Sequence, residues 1–265
     1  MRCIDKRTAM QIAESAGYGV AERALGGRGI RRRINGSTIM LPVRFARFYP
    51  RTYEIAKHRF LCTSCRPGAT VLDLGAHLGL FSVAMARAVG DAGRVFAFEP
   101  APGVRKALQQ TVRLNGCQEI IEVRHEAIGG VAGRAALVSG TGPLSNAGRL
   151  DARSADRLLG QLVDVVTVDA FTAARDLRVD CMKIDVEGSE FDVLAGARAT
   201  IARDRPAIAL EVHPSLLAAA GRDLGELREL AQPLGLEPAC AGSPITWAQV
   251  ALAVEPFELE LCPAQ

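Results

Sequence analysis

The 265-residue sequence contains no apolar stretch that approaches the roughly 20 residues needed to span a bilayer. Its first residues lack the continuous apolar segment of a secretory signal. The seven cysteines, an odd number, are scattered along the chain and do not form the pattern of a disulfide framework. We therefore expect a globular protein in the cytoplasm, with no membrane partner.

A metal-binding cysteine motif is also missing. Cys62 and Cys65 form a single CxxC pair, with no second pair and no histidine at zinc-finger spacing. We interpret this pair as packing residues rather than as a metal or redox site.

Charge is distributed unevenly along the chain. Residues 1–66 carry 14 Lys and Arg against 4 Asp and Glu, whereas residues 67–265 carry 18 against 25. We predict that 1–66 is a basic N-terminal extension and that 67–265 is the main domain. The extension is expected to contain a helix (RTAMQIAESAGYGVAERALGG) and then a hairpin turning at Asn35-Gly36, and to lie on the substrate side as a lid.

From residue 69 onward, strand-like runs alternate with helical runs, which is typical of βαβ units and a parallel sheet covered by helices. We expect strands at ATVLDLGA, RVFAFEP, IIEVRHEAI (120–128), CMKIDV and PAIALEVHP. Helices are expected at GLFSVAMARAVG, GVRKALQQTVRLNG and SEFDVLAGARATIARDR, and ITWAQVALAVEP is expected to form a final pair of strands. The fold class is therefore α/β.

Ligands of an open α/β sheet bind at the carboxyl ends of its strands. The first strand ends in D-x-G-x-x-x-G, formed by Asp73, Gly75, His77 and Gly79, and not in the G-x-G-x-x-G of dinucleotide-binding proteins. This difference argues against a nicotinamide oxidoreductase. Glu99, 26 residues past Asp73, ends the second strand and can accept both hydroxyls of a ribose.

These features favour a nucleoside cofactor without a diphosphate, and S-adenosylmethionine fits. Glu126 ends the third strand, where a carboxylate could hold an adenine amino group. The candidate cofactor residues are Asp73, Gly75, His77, Gly79, Glu99 with the adjoining Pro100, Glu126 with the adjoining Ala127, and Asp185.

The segments VLDLGAHLGLFS, FAFEP, VTVDAF, KIDVEGSEFDVLAGA and ALEVHP resemble, in order and spacing, the FkbM family of S-adenosylmethionine-dependent methyltransferases. The resemblance covers residues 69 to about 214. It implies a class I (Rossmann-like) methyltransferase fold, with a seven-stranded sheet, mostly parallel, that ends in an antiparallel strand pair. It also implies methylation of a hydroxyl on a sugar, glycan or polyketide-type small molecule. This chain has His77 where family members have Asn.

Carboxylates cluster at the ends of the next two strands. Asp185 and Glu187 are two residues apart and point to the same side of an extended strand end, and Glu211 and His213 repeat this arrangement. We assign Asp185, Glu211 and His213 as catalytic candidates, with Asp185 or His213 as general base. Asp185 and Glu211 could instead hold a divalent cation, which the sequence allows but does not indicate.

The acceptor is expected to be a hydroxylated small molecule, which the basic extension would recruit if it were anionic. Its candidate contacts are Glu187, Arg44, Tyr49 and Asn146. An RNA methyltransferase that uses the basic segment is the first alternative, but there is no Asn/Asp-Pro-Pro-aromatic motif and no recognisable RNA-binding module. A catalytically silent binding protein with a cofactor fold is the second alternative.

Overall fold

The computed structural model describes residue 20 and residues 27–139, 148–151 and 161–263. The predicted N-terminal helix lies almost entirely outside these residues, and Asn146 lies outside them. Among the helices described, none combines the length and the apolarity that crossing a membrane requires.

Within the described residues the main sheet has eight strands, one more than the seven expected, because a two-residue strand is added at one edge. They are β3 (Thr70–Leu74), β4 (Arg94–Phe98), β5 (Ile121–Arg124), β10 (Cys181–Ile184), β11 (Ala207–Val212), β12 (Leu236–Cys240), β13 (Ser243–Pro244) and β14 (Phe257–Pro263). Their spatial order is β13-β12-β14-β11-β10-β3-β4-β5. The five strands from β11 to β5 are parallel, and β14 lies antiparallel between β11 and β12. The prediction of a mostly parallel sheet with an antiparallel C-terminal strand pair is confirmed.

A second sheet is inserted between β5 and β10. Its strands are β6 (Ala127–Ile128), β7 (Gly133–Ser139), β8 (Gly148–Asp151) and β9 (Gln161–Val166), in the order β6-β9-β7-β8. We call it the small sheet. Two residues separate the end of β5 from β6, so the chain passes directly from one sheet to the other.

Helices connect the strands of the main sheet. They are α1 (Ile55–Ser64), α2 (Leu80–Val89), α3 (Pro102–Leu114), α4 (Val168–Ala174), α5 (Glu190–Ala195), α6 (Arg198–Asp204), α7 (Pro214–Ala219), α8 (Gly225–Ala231) and α9 (Trp247–Ala251). Short 3-10 helices occupy Val43–Phe48 and Gln232–Leu234. Hydrophobic clusters fill both faces of the sheet, because successive strand residues point to opposite sides. Val71 belongs to one cluster and Leu72 and Leu74 to the other.

The predicted hairpin of the extension is confirmed. β1 (Ile30–Ile34) and β2 (Ser37–Leu41) are antiparallel, and Asn35 (φ 50°) and Gly36 (φ 81°) form the turn with the positive φ angles that a type I′ turn requires. The side-chain amide of Asn115, just after α3, accepts from the Met40 amide (3.1 Å) and donates to the Met40 carbonyl (2.8 Å). This pair of hydrogen bonds fixes the hairpin to the body of the protein.

Three sequence expectations were wrong in detail. The strand expected at 120–128 is divided between β5 and β6, which belong to different sheets. The helix expected at SEFDVLAGARATIARDR is divided into α5 and α6 around Gly196. The segment ITWAQVALAVEP contains a helix in place of a strand pair, because Thr246 and Gln249 form a capping box that starts α9.

Candidate active site

A cavity of about 580 Å³ opens at the carboxyl ends of the parallel strands, within the size range of small-molecule sites. Eleven of the residues singled out in the sequence line it: Arg44, Tyr49, Gly75, His77, Glu99, Pro100, Glu126, Ala127, Asp185, Glu187 and Glu211. Asp73, Gly79 and His213 do not line it. The structure therefore brings most of the candidates to one place.

A sharp turn after β3 forms the floor of the cavity. Gly75 has φ 81°, and a Cβ built on it would lie 1.8 Å from the Asp185 carbonyl oxygen. Only glycine fits this position, since any side chain would collide with the backbone of the neighbouring strand end. Gly79 is the N-cap of α2, where a Cβ would lie 2.5 Å from Leu108. Gly79 thus allows helix packing rather than contact with a ligand.

Asp73 was expected to contact the cofactor, but it is fully buried beneath this turn. One carboxylate oxygen accepts a hydrogen bond from the Ser82 hydroxyl at 2.5 Å, and the other lies 3.4 Å from the Lys183 ammonium. Asp73 therefore stabilises the turn from beneath, through Ser82 and Lys183, and does not line the cavity.

His77 occupies the left-handed region (φ 49°), which Asn and His tolerate better than most residues. Its backbone amide donates to Glu99 (3.0 Å), and its Nδ1 lies 3.3 Å from the Tyr49 hydroxyl. His77 thus connects the turn after β3 to Tyr49 of the N-terminal extension.

Glu99 is buried at the end of β4. Each carboxylate oxygen accepts one backbone amide, from His77 (3.0 Å) and from Ala101 (2.9 Å). Burial raises the pKa of Glu99 to about 7, because it opposes the charged form more than the two amides favour it. A carboxylate of this kind gains from additional hydrogen-bond donors, such as ribose hydroxyls.

Glu126 also lines the cavity, but its carboxylate is held by the Arg124 guanidinium through two hydrogen bonds. Burial alone would raise the pKa of Glu126, yet the contacts with Arg124 lower it below its ordinary value. Glu126 is therefore an ionised acceptor that is already partly satisfied.

Lys183, on β10, is buried next to the Gly75 turn, where it contacts Asp73 and Asp185. Its ammonium donates to the Gly75 carbonyl (2.9 Å) and lies 3.3 Å from Asp185 and 3.4 Å from Asp73. Burial lowers the pKa of Lys183, but Asp185 and Asp73 outweigh it and raise the pKa above its ordinary value. Lys183 is therefore a buried cation that the two aspartates share.

A second buried lysine, Lys57 of α1, approaches from the other side of Asp185. Its ammonium bonds to Glu54 (2.6 Å) and to Glu211, and lies 3.9 Å from Asp185. Burial raises the pKa of Asp185, but Lys183 and then Lys57 more than offset it, so the pKa is lowered. Asp185 is therefore ionised at neutral pH.

His213 was expected to be a base in the cleft, but it does not line the cavity, and its Nδ1 is bonded to the buried Glu190 at 2.7 Å. Its Nε2 lies 3.7 Å from Glu187 and 3.6 Å from Glu211. Burial lowers the pKa of His213, but these carboxylates, Glu190 first, raise it to about 9. An imidazolium cannot accept a proton, so His213 serves as a cation at neutral pH.

Two carboxylates on the cavity wall are less acidic than usual. Burial raises the pKa of Glu187, with Asp185 adding to the effect and His213 opposing it. Burial and Asp185 likewise raise the pKa of Glu211, against the opposing effect of Lys57. Raised pKa values make Glu187 and Glu211 better proton acceptors than Asp185.

Ligand atoms of Asp185, Glu211 and His213 lie within 4.8 Å of one another, a spacing that could hold a metal ion. One feature of the chain does not suit such an ion. The Lys57 ammonium already approaches both carboxylates, at 3.9 Å from Asp185 and in a hydrogen bond with Glu211. A metal site stays an untested alternative.

Sequence reasoning missed both buried lysines. Lys183 stands in the apolar run CMKI of a central strand, where a charged side chain needs a partner, and it pairs in register with Asp73 on β3. A lysine within a buried strand could therefore have been recognised from the sequence as needing a charged partner. Lys57 is 154 residues from Glu211, and nothing in its local sequence marks it.

The strand order, the glycine turn after the first parallel strand and the acidic end of the second define a class I S-adenosylmethionine-dependent methyltransferase fold. A model of the methyltransferase FkbM domain matches residues 73–235, and the chain belongs to this family. No protein of curated function matches the chain significantly.

Solved structures of similar fold include methyltransferase FkbM from Methylobacillus flagellatus (19% identity, TM-score 0.47, covering 74% of this chain and 44% of that one). Others are an S-adenosylmethionine-dependent O-methyltransferase from Thermotoga maritima (14%, 0.45, 78% and 64%) and an rRNA methylase from Streptococcus thermophilus (12%, 0.45, 78% and 94%). The chain thus spans less than two thirds of the length of the first two proteins. None of these similarities bears on its acceptor.

Proposed function

We propose that the chain is an S-adenosylmethionine-dependent O-methyltransferase that acts on a hydroxyl of a sugar, glycan or polyketide-type small molecule. The observation that carries this proposal is one cavity with two chemically different walls. Glu99 and Glu126 stand on one wall, and Asp185, Glu187 and Glu211 stand on the other, with the Gly75 turn between them.

The first wall suits the cofactor. Glu99 presents a buried carboxylate whose two oxygens each have one amide partner, which leaves room for two further donors. The Gly75 turn brings backbone to the cavity surface without a side chain. When bound, S-adenosylmethionine supplies a methyl group on a sulfonium for in-line transfer.

The second wall suits an alcohol. Ionised Asp185 accepts a hydrogen bond from the acceptor hydroxyl and orients it. Glu187 or Glu211, whose pKa values are raised, would take the hydroxyl proton as the oxygen–methyl bond forms and the sulfonium–methyl bond breaks. Lys183 and His213 keep these carboxylates in place, since each is in contact with at least one of them. Alignment of the hydroxyl contributes the larger part of the rate enhancement.

The test of the cofactor half is calorimetric titration with S-adenosylhomocysteine. We expect micromolar binding that Glu99→Ala weakens by about 1.5–3 kcal/mol, the cost of losing a hydrogen bond to a charged group. The exposed Glu119→Ala is the matched control and should bind like the parent protein. No binding at millimolar ligand would reject the proposal and favour the silent binding protein.

The test of the acceptor half is transfer from a labelled methyl donor to a panel of hydroxylated compounds. With an accepted substrate in hand, Asp185→Asn, Glu187→Gln and Glu211→Gln should each lower kcat while S-adenosylhomocysteine affinity changes little. Wild-type turnover by all three variants would remove these carboxylates from the chemistry.

An anionic acceptor is favoured by Arg44, which lies at the cavity wall, and by the exposed Arg31 and Arg33 of the basic extension. RNA could bind to the same basic residues. Measuring tRNA binding at low salt, with and without S-adenosylhomocysteine, distinguishes an RNA acceptor from a small anionic acceptor. Cofactor-strengthened tRNA binding would favour RNA, and its absence would favour a small anionic molecule. The cytoplasmic location stays a prediction.

A further inference from the structure

Lys57 stands at the centre of a group of four carboxylates. Its ammonium is within 4.0 Å of Glu54, Asp185, Glu211 and Glu258. The Lys57 side chain is only 2% exposed, whereas the carboxylates around it are 21–29% exposed. The cation is therefore enclosed, and the anions that surround it reach toward solvent.

Two further contacts hold Lys57 in place, besides its ion pairs. Its backbone amide donates to Glu258 at 3.1 Å, which ties α1 to β14, and its ammonium lies 5.5 Å from the centre of the Phe81 ring. Three of its four carboxylate partners, Glu54, Asp185 and Glu211, line the cavity, but Lys57 does not. It thus reaches the cavity wall from behind.

We propose that Lys57 is the cation that Asp185 and Glu211 share: its ammonium takes the place that a divalent ion would occupy between these two carboxylates, and it positions both of them for the acceptor. Two carboxylates that share a poorly solvated site repel each other unless a cation lies between them. The chain supplies that cation covalently, from its own N-terminal segment, so the site works without a metal.

Lys57 acts through Asp185 and Glu211 and is therefore a positioning residue. The inference rests on the proposed function for its catalytic consequence, but the charge arrangement can be tested without turnover. If the ammonium fills a cation site, then removing it while leaving space should create one. Removing the charge while filling the space should not.

The experiment compares Lys57→Ala, which leaves room for an ion, with Lys57→Met, which keeps most of the volume without the charge. Binding of Mn²⁺ alone is measured by electron paramagnetic resonance for the full chain and both variants. We expect Mn²⁺ binding in Lys57→Ala that is at least about tenfold tighter than in the parent protein or in Lys57→Met, and loss of it when Glu211→Gln is added.

With a methyl acceptor available, Lys57→Ala should lose about tenfold or more in kcat, and Mn²⁺ should restore part of it, whereas Lys57→Met should stay impaired with or without the ion. A purely structural lysine would not produce ion-dependent rescue in one variant alone. Wild-type kcat in metal-free Lys57→Ala would overturn the proposal.

Folding is checked by thermal denaturation with and without Mn²⁺. A Lys57→Ala protein that folds only when Mn²⁺ is present would support the proposal, because binding stabilises the folded state. A variant that stays unfolded in both conditions would contradict it, since the ion would then fail to replace the ammonium. If the parent protein methylates nothing but Lys57→Ala gains Mn²⁺ binding, the proposed function fails while the cation assignment stands.

Discussion

The two walls of the cavity are built by different means. On the cofactor wall, Glu99 is held by backbone amides from residues 77 and 101, close to it in the chain or on the adjacent turn. On the acceptor wall, Asp185 and Glu211 are held by side-chain cations, and Lys57 lies more than a hundred residues away from both. The position of Glu99 depends on backbone conformation, whereas the positions of Asp185 and Glu211 depend on a balance of buried charge.

The largest effect is expected at Gly75, between the two walls, where a Cβ atom would lie 1.8 Å from the Asp185 carbonyl oxygen. Gly75→Ala should cost more than about 4 kcal/mol in the free energy of unfolding, because it combines an unfavourable φ with a backbone collision. Gly68→Ala is the matched control, since Gly68 has nearly the same φ (83°) but no atom within 4 Å of its Cβ position. Equal urea denaturation midpoints for the two variants would refute the role of the close contact.

Removing the charge of Lys183 tests the acceptor wall. Lys183→Met should lower the free energy of unfolding by about 3 kcal/mol, because Asp73 and Asp185 lose a buried partner. Lys106→Met, at an exposed position, should change it by less than about 0.5 kcal/mol. Similar urea unfolding curves for both variants would show that the buried charges are not balanced by Lys183.

The pKa of about 7 at Glu99 predicts a pH dependence for the cofactor wall. Ribose hydroxyls donate to the ionised carboxylate, so S-adenosylhomocysteine affinity should rise about tenfold per pH unit below pH 7 and level off above it. Calorimetry from pH 5.5 to 8.5 measures this, and Glu99→Gln should give weak, nearly constant affinity. An affinity of the parent protein that does not change with pH would show that the ligand does not bind to the ionised Glu99 carboxylate.

The smallest effect concerns His213 on the acceptor side, whose pKa is raised to about 9. Folding favours the protonated form, so its stabilisation is complete below the unfolded pKa of about 6.5 and is lost as pH rises through about 9. The difference in unfolding free energy between the parent protein and His213→Gln should therefore shrink by about 1 kcal/mol from pH 6.5 to 9.5, after allowance for solvent screening. A constant difference would mean that His213 does not titrate with these carboxylates.

The same contrast explains which features could be predicted from the sequence. The Gly75 turn, Glu99 and the Asn35-Gly36 hairpin follow from short motifs, and a mainly parallel sheet follows from the alternation of strands and helices. Two features could not be predicted, because they depend on contacts in the folded chain. These are the ion pair of Lys57 with Glu211 and the hydrogen bond by which Arg124 holds Glu126. His213 was misjudged because its base strength is set by Glu190, which is 23 residues away and buried.

Because the chain passes directly from the main sheet to the small sheet, the two sheets share one cavity. Glu126 lies between β5 and β6, and the next residues, Ala127 and Ile128, begin the small sheet and line the cavity together with Leu137 and Gln161. The cavity wall beside Glu126 is therefore built by a second sheet, whose described strands pair with one another and not with the main sheet. Substitutions at these four positions should change the shape of the cavity next to Glu126, while the strand ends that carry Glu99 and Asp185 stay in place.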